Sequence, residues 1–425
     1  MATSEALRRN VPAVAAAVRT IVIFVAVLSI PLTAAQVLEL STAQTSAWVL
    51  AGYGLPGLLS LILVLRYHQP LILTGNLFFI IFISGLGDRL GYPELIGASM
   101  LAGGGVLLLG LLGLSEWLAG WLPVPIMFGL LAGAVLPFLS DLFSALADAP
   151  AVVGGTLLAY LVSRRLLGER VPPILPALVT GFVVTAVTGQ FETPAEPLAL
   201  TFPTLTLPVF SLPAILTATP VFVVLITLQA NLPSVRFLQS QAYDPPELVI
   251  DLVSGLGTIL GSLLGPTGVS LALPATSLVA GPGAGEHEIR HRSVYLIGGA
   301  ALLIGLLAGI AVGLAGVIPP ALLLTLAGLS VIGVLGNALK QVVGGPLFLG
   351  PLFAFAIALS DISFLGFGNY FWSLVIGTAV SVLLEGEELQ ALRERAGEEA
   401  GEQTANRRTD SAEGRRGGRD GREVG

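Results

Sequence analysis

Apolar runs long enough to cross a bilayer recur from residue 17 to residue 385, with only short polar breaks between them. A membrane helix needs about 20 such residues, and a span plus a short loop takes about 27. The first 384 residues therefore predict about 14 spans. The expected segments are 17–37, 45–65, 69–85, 93–113, 123–142, 149–166 and 172–189 in the first half. In the second half they are 213–233, 248–264, 267–281, 293–313, 318–339, 346–362 and 367–385. Helices are required because lipid offers no partner for open backbone groups. From Glu385 onward, 11 acidic and 8 basic residues fall in 41 positions, leaving 16 acidic and 12 basic in the first 384. Such a body could not cover a water-facing surface, which excludes a soluble enzyme. The absence of cysteine removes disulfides, thiol catalysis and cysteine metal sites.

The expectation is an all-α polytopic membrane protein. Residues 1–16 form a cytoplasmic N-terminal segment, 17–200 a first set of seven spans, and 201–385 a second set. Residues 386–425 form a charged cytoplasmic tail, expected to be disordered beyond Gly397 because it is rich in Glu, Arg and Gly. Arg8-Arg9, an apolar run and Thr33-Ala34-Ala35 resemble a signal peptide, but the run is long and reads as an uncleaved first span.

Basic residues set the orientation. With 14 spans, both termini share one side, and Arg8, Arg9, Arg19, Arg66, Arg164, Arg165, Arg170, Arg236, Arg290, Arg292 and Lys340 fall there. Only Arg89 falls on the other. The expected location is the cytoplasmic membrane with both termini inside.

An ungapped self-match appears at an offset of 195. Gly103-Gly104 falls on Gly298-Gly299, Gly110 on Gly305, Pro125 on Pro320, and Ala132-Gly133 on Ala327-Gly328. The offset equals seven spans, so the second copy is expected upside down. An inverted repeat of this kind favours a carrier that rocks around a central site. Chance matching of abundant Gly and Ala is the alternative.

Interrupted spans point to a binding site, because half-helix ends present unpaired backbone groups. The third segment opens with His68-Gln69-Pro70 and meets Thr74-Gly75-Asn76 before a Phe- and Ile-rich run. The tenth reads Gly265-Pro266-Thr267-Gly268-Val269-Ser270 before Pro274. Each starts extended and could then turn helical, which would put Asn76 and Ser270 near two opposed helix N-termini that attract anions. Simple kinks are the alternative. In the eighth segment, Gln229 and Asn231 are costly in lipid and should face a cavity or a partner helix. Gln36 is a weaker candidate of the same sort.

No Lys, Arg or His lies mid-span, so recognition of an anion would rest on helix ends, amides and hydroxyls. Glu39, Asp251 and Asp361 lie near span ends and are candidates for ion coupling or interfacial acids. His68, His287 and His291 fall in loops, and Glu286-His287-Glu288 reads as a solvated loop more readily than as a metal site. No phosphate loop, nucleophile elbow or zinc motif is present, so this chain does not itself drive transport with ATP. Neither a cofactor nor a nucleic-acid partner is expected.

Several stretches carry a family resemblance. Gln44-Thr45-Ser46-Ala47-Trp48 through Leu65-Arg66-Tyr67-His68-Gln69-Pro70 resembles the benzoate–proton symporter family. Leu122-Pro123 with Leu130–Gly133, Ala159-Tyr160-Leu161 with Arg164-Arg165, Asn231-Leu232-Pro233, and Gly366-Phe367-Gly368 with Phe371-Trp372 extend the match over residues 15–385. That family is similar to the uracil/xanthine permeases and sulfate carriers. The resemblance implies 14 spans, a core of spans 1–4 and 8–11, a gate of spans 5–7 and 12–14, and short half-helices 3 and 10 with small β-strands. Dimers are common in related folds, although no residue here demands one.

The sequence departs from the family's pattern in three places. Gln229-Ala230-Asn231 stands where Ser-Gln-Asn is usual, Thr267 and Ser270 replace a His and an Asn, and Thr74-Gly75-Asn76 replaces Trp-Ser-Thr-Pro-Gly. The resemblance implies a secondary carrier of a small organic anion, benzoate or a similar aromatic carboxylate, by proton-coupled alternating access. Thr74, Gly75, Asn76, Gln229, Asn231, Thr267, Gly268 and Ser270 are the expected substrate residues, with a proton or sodium ion as partner. A nucleobase or inorganic anion carrier of the same fold, and a membrane interaction protein without transport, are the alternatives.

Overall fold

The computed structural model describes residues 2–87, 89–115, 117–118, 123–168, 171–193, 203–360, 362–392 and 394. Six helical stretches are long and apolar enough to cross a membrane, or seven if the pair bent by 68° at Leu307 counts as one span. Shorter apolar helices are Ile174–Thr188, Leu349–Leu359 and Asn369–Leu384. The sequence-based segments predict more full-length crossings because Gly and Pro breaks divide several of them into pieces. The tail from residue 395, the segment 194–202 and Asp361 lie outside the described residues.

Helix α1 (Ala2–Val27) continues into α2 (Ser29–Val37). It is helical from Ala2, well before the expected boundary at 16. Helix α3 (Thr42–Val49) starts from a capping box at Ser41 and Gln44, then widens into a π-helical turn at Leu50–Gly54 before α4 (Leu55–Tyr67). Strand β1 (Leu73–Gly75), α5 (Leu77–Ser84) and α6 (Tyr92–Leu112) follow. Next come α7 (Val124–Asp148), α8 (Pro150–Leu167) and α9 (Ile174–Thr188). The second half begins with α10 (Leu212–Val224), a π-helical turn at Leu225–Asn231 and α11 (Leu232–Ser240). Pro233 lacks an amide hydrogen, which suits a break in the helical ladder there. Helix α12 (Glu247–Ser262), strand β2 (Val269–Leu271) and α13 (Leu273–Ala280) follow. The chain ends in α14 (Arg292–Leu306), α15 (Ala308–Ala315), α16 (Pro320–Gly344), α17 (Leu349–Leu359) and α18 (Asn369–Leu384).

The protein is therefore mostly helical rather than all-α. Strands β1 and β2 pair antiparallel, with Thr74 opposite Ser270, and join stretches about 195 residues apart in the chain. Each strand hangs from a helix by a hydroxyl. Ser60 Oγ of α4 accepts the Leu73 N–H at 2.8 Å, and Thr258 Oγ1 of α12 accepts the Val269 N–H at 2.9 Å.

Two groups of helices pack around this centre. Helices α1, α4, α6, α10, α12 and α14 form one, and α7, α8, α9, α16, α17 and α18 the other. Helix α16 also packs on α2, where the groups meet. Close backbone approach holds the first group together. A Cβ on Gly103 of α6 would lie 2.7 Å from the Gly255 carbonyl of α12, and one on Gly57 of α4 would lie 2.8 Å from the Gly298 carbonyl of α14. Outward faces stay apolar: Leu108, Leu111 and Leu112 of α6 are all more than half exposed. Water would penalise such a face, whereas lipid chains match it.

Candidate functional site

The strand pair forms one edge of a cavity of about 160 Å³ whose lining is predominantly apolar. Thr74, Gly75, Asn76, Gln229 and Ser270 all border it. They come from β1, the turn into α5, the π-helical turn before α11, and β2. The opposite walls are aromatic and aliphatic, with Phe24 from α1, Tyr53 from the first π-helical turn and Phe78 from α5. Tyr53 donates its hydroxyl to the Phe24 carbonyl at 3.1 Å, and their rings meet edge to face at 6.2 Å. These aromatic walls are absent from the sequence-based candidates, because isolated Phe and Tyr in a membrane chain do not reveal which face they occupy.

The polar edge is unevenly satisfied. Asn76 is fully engaged: Nδ2 donates to the Leu225 carbonyl at 3.1 Å and to Ser270 Oγ at 3.2 Å, while Oδ1 accepts the Phe79 N–H at 3.2 Å. Asn76 thus caps α5 with its own side chain, so that helix end is closed rather than open to an anion. The N-terminus of α13 differs. Its cap position, Ala272, has no side-chain acceptor, and Pro274 lacks an N–H. The Leu273 and Ala275 amides have no acceptor among the described residues, and both residues border the cavity. The Gln229 carbonyl oxygen is buried without a partner among the described residues. Its amide keeps the same shape when turned over, so it can present either the oxygen or the NH₂ to the cavity. The Thr74 hydroxyl is likewise without a protein partner among the described residues.

The structure separates the remaining candidates from the cavity lining. Thr267 is fully buried behind β2, where its methyl group faces Gly261. Gly268 contributes only its carbonyl, which accepts the Asn76 N–H at 2.6 Å. Asn231 is 2% exposed and faces α12 and β2. Asp251 lies beside Asn231, outside the cavity. Glu39 and Gln36 border a second crevice of about 430 Å³ between α2, α3, α15 and α16. His68 and His291 sit with ring centroids 5.9 Å apart, and His287 stacks on Tyr243 at 4.0 Å. No group of three or more potential metal ligands occurs among the described residues.

One long-range tie escaped the sequence reading. Trp48 Nε1 donates to the Pro266 carbonyl at 2.6 Å and pins the approach to β2 onto α3. Its neighbours in sequence gave no sign of a partner 218 positions away.

Comparison with known proteins places this geometry in context. A family model described as "Benzoate membrane transport protein" matches residues 8–383. The benzoate membrane transport protein of Acinetobacter baylyi is 26% identical over 357 residues, covering 83% of this chain and 89% of the relative. Inner membrane protein YdcO of Escherichia coli is 26% identical over 355 residues, covering 83% and 90%. Among solved structures, the transmembrane domain of the cyanobacterial bicarbonate transporter BicA aligns with a TM-score of 0.54 at 16% identity, covering 91% of this chain and 97% of that one. Murine Slc26a9, an anion transporter in the inward-facing state, aligns with a TM-score of 0.61 at 14% identity, covering 88% and 68%. These likenesses give a mostly helical, multi-pass membrane transporter fold.

Proposed function

The chain belongs to the benzoate membrane transport protein family, and we propose that this transporter carries benzoate or a similar aromatic carboxylate through the cavity beside β1 and β2. One observation carries the reading: a ring-sized, aromatic-walled cavity meets a polar edge where the Gln229 carbonyl oxygen and the α13 amides lack partners among the described residues. An apolar cavity of about 150 Å³ takes up benzene, so 160 Å³ suits one aromatic ring. The ring packs among Phe24, Tyr53 and Phe78. The carboxylate faces the α13 N-terminus, where the Leu273 and Ala275 amides and the helix dipole favour negative charge. Thr74 and Gln229 complete its hydrogen bonds. Ser270 and Asn76 shape the edge and hold the two strands in register.

The transport cycle follows from two opposed halves. The chain crosses the cytoplasmic membrane 14 times as two inverted sets of seven, 17–200 and 201–385, with both termini inside. The sorting of basic residues supports this orientation. The matched glycines support the repeat: Gly103 packs on α12 and its counterpart Gly298 packs on α4, so each half clasps the other in the same way. The group holding β1 and β2 acts as the core, and the α7–α9 and α16–α18 group as the gate. Rocking of one against the other exposes the cavity alternately, coupled to proton entry.

Calorimetric titration of the detergent-purified protein tests the substrate. Benzoate should bind saturably, while acetate, which lacks the ring, and sulfate should not. Binding of sulfate without benzoate would support an inorganic anion carrier and overturn this reading.

A further inference from the structure

The cavity is connected through hydrogen bonds to a carboxylate that does not touch it. Asp251 is the fifth residue of α12 and lies at a close approach of α6: a Cβ on Gly110 would stand 2.7 Å from the Asp251 Cβ. Its Oδ2 accepts from Ser115 Oγ at 2.8 Å, just beyond α6. Its Oδ1 accepts from Asn231 Nδ2 at 3.0 Å. The Asn231 amide cannot turn over freely, because its Oδ1 accepts the Leu271 N–H at 2.9 Å. Its Nδ2 also reaches Ser254 Oγ at 3.1 Å. One side chain therefore joins Asp251 to β2, and β2 carries Ser270 and Leu271 at the cavity edge.

The surroundings of Asp251 lack positive charge. No Lys, Arg or His pairs with it among the described residues. Helix α6 and its end present Gly110 and Ser115, the π-helical turn presents Asn231, and α12 itself presents Ser254. Among the described residues the one charged neighbour is Glu247, a turn earlier on α12, whose Oε1 accepts from Gln239 Nε2 at 2.7 Å. β2, α4 and the first π-helical turn, which also pack on α12, bring no charged group to it. A carboxylate among apolar helices with two donors and no cation is costly, and a proton removes the cost.

We propose that Asp251 takes up the coupling proton and that Asn231 passes its charge state to β2. The proposal rests on the reading of the chain as a proton-coupled carboxylate carrier. The atoms assign the proton to Oδ2. Asn231 offers only N–H to Oδ1, so a proton there would set donor against donor. Ser115 can rotate its hydroxyl and accept from Oδ2–H. One carboxylate and one proton then cross together without net charge. Asn231 is a positioning residue in this scheme, since it joins the acid to β2 without bordering the cavity.

Proteoliposomes test the assignment, with protein-free vesicles subtracted because benzoic acid crosses lipid unaided. A pH difference of one unit sustains about a tenfold benzoate gradient both for one-to-one symport and for passive benzoic acid, so the initial rate is the readout. Wild type should accumulate benzoate down a pH gradient at an initial rate well above that of protein-free vesicles and also exchange internal for external benzoate at equal pH. Asp251→Asn should keep exchange to within about threefold while its initial rate of pH-driven accumulation falls to that of protein-free vesicles. Asp251→Glu should restore accumulation with a displaced pH midpoint. On the purified protein, the infrared difference between wild type and Asp251→Asn should contain a protonated-carboxyl band that rises on acidification, a readout that needs no substrate. Undiminished accumulation by Asp251→Asn, or an unchanged band, would overturn the assignment of Asp251 alone. Loss of exchange together with accumulation would assign it to binding or folding and also overturn the proposal. Wild-type net uptake whose protein-dependent rate ignores the pH gradient would overturn proton coupling itself.

Discussion

The side-chain amide of Asn76 donates to the hydroxyl of Ser270 at 3.2 Å, joining two strands whose residues are 194 positions apart. The same amide group donates to the Leu225 carbonyl, while its oxygen caps α5. Three chain segments therefore meet on one side chain. Replacing Asn76 with Ala removes the cap and leaves the Leu225 carbonyl without that donor, at a cost of about 1–2 kcal/mol. Thermal unfolding of Asn76→Ala should begin several degrees lower, and benzoate binding should weaken with it.

Gln229 should behave in the opposite way. Its buried carbonyl oxygen has no partner among the described residues. Gln229→Leu keeps the approximate size and relieves a buried unsatisfied acceptor, which costs about 1–3 kcal/mol. The variant should unfold at the same temperature or higher, yet bind benzoate about tenfold more weakly, a loss near 1.4 kcal/mol. Paired unfolding and titration measurements read both effects.

Gly75 faces the first π-helical turn without room for a side chain. A Cβ there would lie 2.6 Å from the Gly52 carbonyl oxygen and 2.7 Å from its Cα. Backbone must shift to admit it, at a cost of about 1–3 kcal/mol. Gly75→Ala should lower both thermal stability and benzoate affinity, whereas Gly104→Ala, where a Cβ meets nothing within 4 Å, should change neither.

Glu385 closes the far end of the fold. Its Oε1 accepts the Phe348 and Leu349 amides at 2.6 Å, and its Oε2 accepts the Gly350 amide at 3.0 Å and the Ser381 hydroxyl at 2.8 Å. The carboxylate caps α17 from the end of α18 and suits the positive end of that helix. Glu385→Ala should destabilise the protein by about 1–3 kcal/mol while leaving benzoate affinity unchanged, because the site lies elsewhere. Denaturation of the variant in detergent, followed by titration of its folded fraction, checks both parts.

The positions of the helix breaks were legible because Gly, Pro and an Asx residue punctuate a chain that is otherwise uniformly apolar. Thr74-Gly75-Asn76 and Gly268 stood out for that reason, and the strands do form there. The pairing of Ser60 and Thr258 with the strands was not legible, since a hydroxyl within a span usually bonds its own helix. Asn231 reads in sequence as a substrate group or an interhelix hydrogen-bonding group, from its cost in lipid and from the Asn231-Leu232-Pro233 resemblance. The same cost is met by Asp251, Ser254 and the Leu271 amide, which no local pattern reveals. Glu385 was assigned to the edge of a polar tail because its partners lie 35–37 positions away. Phe24 and Tyr53 illustrate the remaining gap: aromatic residues look alike in sequence whether they face lipid, core or cavity.

Counterflow tests the central claim most directly. Proteoliposomes loaded with unlabelled benzoate are diluted into a trace of labelled benzoate at equal pH, with protein-free vesicles alongside. The account predicts a transient overshoot of label inside the protein-containing vesicles, suppressed by external benzoate and untouched by external sulfate. Label that only matches the protein-free vesicles, with the protein folded and inserted, would contradict it.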